Sequence, residues 1–146
     1  MKMIGTIETI LHHKGASVWT VSPQTTVFEA IQMLAQKNIG AVPVVENGKL
    51  VGIFSERDYT RKIALAGKSS RETRVREILS SHVVSATPQN TVEECLRLMT
   101  ENRIRHLPIL EEGKLIGIIS IGDLVNWIIS AQTAALDQME AYISGR

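Results

Sequence analysis

Apolar positions along the chain change period in a fixed order, and the order occurs twice. "SVWTV" (from Ser17) and "HVVSA" (from His82) are short β-rich runs, each followed by a proline, Pro23 or Pro88, that stops a strand. Helical spacing follows: Val27, Ala30, Ile31 and Leu34 in one place, Val92, Cys95, Leu96 and Met99 in the other. Thr26 with Glu29, and Thr91 with Glu94, open these stretches with the hydroxyl-then-acid spacing of a capping box. "AVPVVENGKLVGIFS" and "HLPILEEGKLIGIIS" each predict two strands around a glycine-containing turn. A second helix then begins at Ser55 or Ser120, so the predicted unit is β-α-β-β-α. The opening "MKMIGTIETILHHKG" also predicts a helix.

The two patterns are one pattern. Pro23 and Pro88 stand 65 positions apart, and that offset also pairs Thr26 with Thr91, Ile39 with Ile104, Pro43 with Pro108 and Gly52 with Gly117. It pairs Ser55 with Ser120 and Asp58 with Asp123, without a gap from Val18/Val83 to Ile63/Ile128. The expected organisation is an N-terminal helix and linker (1–16), a first unit (17–66), a linker (67–81), a second unit (82–130) and a C-terminal helical tail (131–146). A unit of about 50 residues leaves one face of its small sheet uncovered, so two units should pack together. The fold class is mixed α/β (α+β), with pseudo-twofold symmetry and two related clefts.

Composition narrows the function. Of 146 residues 44% are hydrophobic, and a formal charge of +1 offers no electrostatic footprint for nucleic acid or an anionic membrane. The apolar run "LIGIISIGDLVNWIIS" is interrupted by Asp123 and falls short of the ~20 residues of a membrane helix. The N-terminus carries an acid and lacks both a continuous apolar core and a cleavage site of signal-peptide type. Cys95 is the lone cysteine, which excludes an intramolecular disulfide and reads as a small core side chain. A soluble, cytoplasmic protein is expected.

The candidate chemistry lies in "KLVGIFSERD" and "KLIGIISIGD". Ser followed three residues later by Asp is a capping signature that needs no ligand. The same geometry leaves backbone N–H groups free at a helix start, beside a carboxylate able to accept two hydroxyl donors. Vicinal ribose hydroxyls are such a pair.

With the preceding "IGAVPVVENGKLV" and "IRHLPILEEGKLI", these motifs resemble those of tandem cystathionine-β-synthase (CBS) domains. The resemblance covers Val18–Ile63 and Val83–Ile128. It implies a Bateman-type regulatory module without enzymatic activity, similar to small stand-alone two-CBS proteins. It further implies signal transduction as an energy or redox sensor through AMP, ADP, ATP, NAD or S-adenosylmethionine. A homodimer through the CBS helices and an unidentified regulated protein are implied as partners. The family's ribose-binding acid falls on Asp58 and Asp123, its hydroxyl on Ser55 and Ser120. Its adenine-flanking apolar residues fall on Ile53 and Ile118, and on Ile39 and Ile104 in the opposite copy. Positions that often reach phosphate are Gly40 and Ala41 in one copy, Arg105 and His106 in the other. The stretch leading into the first strand, where the family usually faces its ligand, brings in Lys14 and Trp19.

The copies differ where phosphate chemistry matters. "ER" in the first motif is "IG" in the second. The Asp58 cleft is expected to gather Arg57, Arg105 and His106, with Arg suited to bidentate phosphate contact. The Asp123 cleft is expected to gather Lys14 and Gly40. Two other signals carry less. "AGKSS" lacks the first glycine of a phosphate-binding loop, and Lys62 stands there instead. His12 and His13 are adjacent, so on a helix they do not face one way. Alternatives to a ligand-binding module are a structural dimerisation unit with empty clefts and a small hydrolase or transferase. The apolar tail Leu124, Val125, Ile128, Ile129, Leu136, Met139 and Ile143 predicts packing against the N-terminal helix or another subunit.

Overall fold

A computed structural model describes residues 5–15, 18–79 and 82–144. Helix α1 (Ile7–Lys14) comes first, then α2 (Val27–Lys37) and the antiparallel hairpin of β1 (Ala41–Glu46) with β2 (Lys49–Ser55). A short α3 (Glu56–Asp58) runs directly into a π-type turn over Tyr59–Ala64. The second copy repeats the order with α4 (Val92–Asn102), β3 (His106–Glu111), β4 (Lys114–Ser120) and a long α5 (Ile121–Ile143).

The caps lie where the Thr-x-x-Glu spacing put them. Thr26 Oγ1 accepts from the Glu29 amide at 3.1 Å, and Thr91 Oγ1 from the Glu94 amide at 3.0 Å. Both hairpins turn on two residues of positive φ, Asn47-Gly48 and Glu112-Gly113, the type I′ geometry that matches strand twist.

One expectation is corrected. The leading strands shrink to a single parallel bridge each, Val21 to Val44 and Ala86 to Ile109. Val21 donates to the Pro43 carbonyl and accepts from the Val45 amide, and Ala86 does the same with Pro108 and Leu110. The chain then leaves the sheet at once, because the Ser22 amide bonds Thr25 Oγ1 and the Thr87 amide bonds Asn90 Oδ1. These side-chain-closed turns replace further ladder pairing. Ser17, the start of the first run, lies outside the described residues.

Each copy completes its core with the segment that precedes the other. Ile7 and Ile10 of α1 are buried with Val92, Cys95, Met99 and Ile119 of copy two, where Leu11, Trp127 and Ile128 also pack. Val75 and Ile78 of the inter-repeat segment are buried with Val27, Leu34, Phe54 and Ile63 of copy one. The backbone follows suit: the Ile7 amide bonds the Asn90 carbonyl, and the Val75 amide bonds the Thr25 carbonyl. The first turns of α5 thus pack against α1. Farther along α5, Ile129, Leu136, Met139 and Ile143 are more than half exposed.

Candidate functional site

A cleft of about 800 Å³ opens between the copies. Copy one contributes Gly40, Ile53, Ser55 and the stretch Glu56–Asp58 with Arg61 and Lys62. Copy two contributes His82–Val84 and Asn102–His106. The hairpin register explains part of this: Ser55 pairs with Ala41 and Ser120 with His106, so each motif serine lies beside the start of its own first strand.

Asp58 is fixed by its own cap. Its Oδ2 accepts from the Ser55 amide and from Ser55 Oγ, both at 3.0 Å, while Ser55 Oγ accepts from the Asp58 amide at 3.1 Å. Oδ1 stands 3.6 Å from Lys62 Nζ, and the carboxylate side chain is 28% exposed. One oxygen is therefore consumed by local structure and the other is turned toward the basic wall. Arg57 reaches across the copies to the Arg103 carbonyl at 3.4 Å. Arg103 caps α4 in the left-handed region (φ 55°), a conformation a non-glycine residue rarely adopts. Among the described residues this wall carries Arg57, Arg61, Lys62, Arg103 and Arg105 against the acids Glu56 and Asp58. The cleft is a positively charged concavity, suited to an anion.

Asp123 is held differently. Its Oδ2 accepts from the Ser120 amide at 2.8 Å and from Lys14 Nζ at 2.7 Å, and Lys14 also donates to the Ile118 carbonyl at 2.8 Å. Partial burial pushes the Asp123 carboxyl up, but Lys14 and Ser120 outweigh it, so its pKa lies below the ordinary value. His106 lines the Asp58 cleft and also feels the Lys14 and Asp123 charges. Burial, followed by the Lys14 charge, holds its imidazole below the usual histidine range, against opposing pulls from Asp123 and Glu56.

The sequence-predicted residues divide into groups. Ile53, Ser55, Arg57, Asp58, Ile104, Arg105 and His106 line the Asp58 cleft. Lys14, Ile118 and Ser120 gather at Asp123. Gly40, expected on the Asp123 side, lines the Asp58 cleft, where a Cβ would come within 3.3 Å of the His106 ring. Ala41 is buried in β1, and Ile39 packs on the core of copy one. Trp19 is 45% exposed, with Lys37 Nζ 3.9 Å from its ring centroid. Sequence reading passed over Arg61, Lys62, Arg103 and His82. Arg61 and Lys62 follow Asp58 by three and four positions, so helical spacing alone places them on one face with it. Arg103 and His82 arrive from the other copy, and no local pattern marks them. His13, adjacent to His12, lies 5.2 Å from the Trp127 ring.

The family model for the CBS domain matches twice, over residues 14–65 and 75–130. The chain belongs to the CBS-domain family. It is similar to the CBS domain-containing protein CBSX3, mitochondrial, of Arabidopsis thaliana, at 37% identity over 150 residues, covering 96% of this chain and 72% of that protein. Among solved structures, the CBS domain protein NE2398 superposes with a TM-score of 0.80 at 46% identity, covering 84% of this chain and 95% of that one. The CBS domain pair of MJ0100, solved in complex with 5-methylthioadenosine and S-adenosyl-L-methionine, superposes at 0.74 with 25% identity, covering 84% and 94%. With a CBS-domain match in each copy and a solved CBS domain pair among the structures it superposes on, the two copies form a CBS pair here. Among the described residues no helix is long and apolar enough to cross a membrane.

Proposed function

We propose that this CBS pair is a regulatory module that binds an adenosine-containing phosphate ligand in the Asp58 cleft. The observation that carries the reading is the convergence of five cationic side chains from both copies on a cleft headed by a capped carboxylate. Asp58 accepts the ribose diol through Oδ1, Ile53 and Ile104 flank the base, and Arg57, Arg61, Arg103 and Arg105 take the phosphates. That charge balance favours ADP or ATP over AMP. NAD and S-adenosylmethionine share the adenosine part and rank below ATP for want of a terminal phosphate chain. Because both copies wall the cleft, a ligand that bridges them favours one relative arrangement, which is how occupancy becomes a signal to a regulated protein. A catalytic reading lacks support, since the Ser55 hydroxyl is engaged twice with Asp58 in its cap.

A homodimer is part of the same proposal. Ile121, Val125, Ile129, Leu136, Met139 and Ile143 fall within about a quarter of the circumference of α5 at 100° per residue, and all are exposed. Thermal unfolding with AMP, ADP, ATP, NAD and S-adenosylmethionine tests the function. A ligand at about 100 times its Kd stabilises by about 2.7 kcal/mol. Asp58→Ala should abolish the ATP shift, and absence of a shift with every adenosine ligand refutes the proposal.

A further inference from the structure

The two motif aspartates are repeat mates, yet among the described residues only Asp123 is engaged by a cation brought from a distant element. Lys14, the last residue of α1, donates to Asp123 Oδ2 at 2.7 Å and to the Ile118 carbonyl at 2.8 Å. Asp123 and Ile118 correspond to Asp58 and Ile53, both in the wall of the first cleft. A ligand placed at Asp123 in the matching pose would find Oδ1, the counterpart of the oxygen assigned to the diol at Asp58, on a carboxylate whose Oδ2 already pairs with the Lys14 ammonium, beside an Ile118 carbonyl that the same ammonium holds. Asp58 differs. Its neighbouring cation Lys62 lies on its own helical segment, in a longer ion pair of 3.6 Å with Oδ1, and donates another N–H to the Ile78 carbonyl at 2.8 Å.

The fold explains why the ammonium is there. Leu11 of α1 packs on Gly117, where a Cβ would come within 2.6 Å of its Cδ2, and Leu79 packs on Gly52 in the same manner. From Leu11 to Val18 the chain has six intervening residues, but only three from Leu79 to Val83. The longer segment lets α1 continue one turn past Leu11, and Lys14, three positions on, shares its face. Ile7 and Ile10 bury the helix in the core of copy two, so the ammonium is delivered by an anchored rod.

We propose that Lys14 is a specificity-determining residue, a tethered cation that occupies the Asp123 carboxylate and keeps a ribose diol out of the second cleft. The inference rests on reading the clefts as adenosine sites. It makes the module one-sided, with ligand entering at Asp58 first and reaching Asp123 only by displacing Lys14. Lys14 is 38% and Asp123 27% exposed at the side chain, so water recovers part of the lost interaction. Displacement then weakens binding by roughly tenfold.

Adenosine is the probe, because it has the diol and no phosphate for Lys14 to attract. Titrations of Asp58→Asn and of Asp58→Asn/Lys14→Met, followed by NMR, isolate the second cleft. The double variant should bind adenosine about tenfold more tightly, and Lys14→Gln in place of Lys14→Met should change the affinity in the same direction. Unchanged binding, or no binding by either variant, overturns the proposal. Weaker binding also overturns it, making Lys14 a ligand contact. ATP binding by the unaltered chain separates this from the first reading. Should the unaltered chain ignore every adenosine ligand while the double variant binds adenosine, the Asp58 reading falls and the Lys14 inference stands. Should ATP binding depend on Asp58 while Lys14→Met changes nothing, the reverse holds.

Discussion

Ser55→Ala and Ser120→Ala separate the structural role of the repeated motif from its role toward a ligand. Both serines are N-caps: each Oγ accepts the amide proton of the aspartate three residues on, at 3.1 Å in both copies. Loss of such a cap costs about 1 kcal/mol, which in a chain of this length lowers the Tm by about 2–4 °C. Ser55 Oγ also donates to Asp58 Oδ2 at 3.0 Å, one of two bonds from Ser55 that hold the carboxylate toward the basic cleft. Losing a hydrogen bond of about 1 kcal/mol translates into about a fivefold rise in the ATP Kd. Asp123 is held by Lys14 as well as by the Ser120 amide, and the proposed function places ATP at Asp58 instead. Differential scanning fluorimetry should show matched Tm losses, and titration calorimetry should show weakened ATP binding for Ser55→Ala alone. An unmoved Tm in either variant refutes the capping argument. Equal changes in ATP affinity refute the asymmetry of the clefts.

Phe54, fully buried in the core of copy one, should cost about 3–5 kcal/mol when cut to Ala and lower the Tm by about 10 °C, read by chemical and thermal unfolding. His106 makes stability depend on pH. Its folded pKa lies below the ordinary 6.5, so the unfolded chain takes the proton first, and its contribution is complete above that value and lost as pH falls. His106→Gln should therefore flatten the unfolding free energy between pH 7 and pH 5, and an unchanged slope would count against a buried neutral imidazole. Burial raises the Cys95 thiol to about 11, so its reaction with a thiol reagent at pH 8 should wait for unfolding. Rapid labelling of native protein would contradict that packing.

The hairpins and both capped helices were readable because each rests on local chemistry. Thr26 finds the Glu29 amide three residues away, and Asn47-Gly48 supplies two positive-φ residues in succession. The leading strands were over-read, since β-propensity in "SVWTV" and "HVVSA" cannot reveal that Ser22 and Thr87 close turns after one bridge. Of the site, Ser55, Arg57 and Asp58 were visible through the motif, and Arg61 and Lys62 were available from helical spacing. Arg103 and His82 join them through packing of the copies. Trp19 and Ala41 show the opposite case, for motif position suggested a ligand role while their surroundings are Lys37 and the β1 core.

The sequence by itself determined the duplication, the hairpins and capped helices of each copy and its pair of motif acids. These depend on interactions between residues a few positions apart, and the gapless offset of 65 shows that both copies obey them equally. The tertiary structure alone decided how the copies complete each other. It sends α1 across to copy two and the Val75–Ile78 segment back to copy one, because each small sheet has an apolar face that its own unit leaves uncovered. That crossing accounts for the expected approach of Lys14 to Asp123 over 109 positions, and packing of the copies adds Arg103 and His82 to the Asp58 wall, which no short-range pattern encodes.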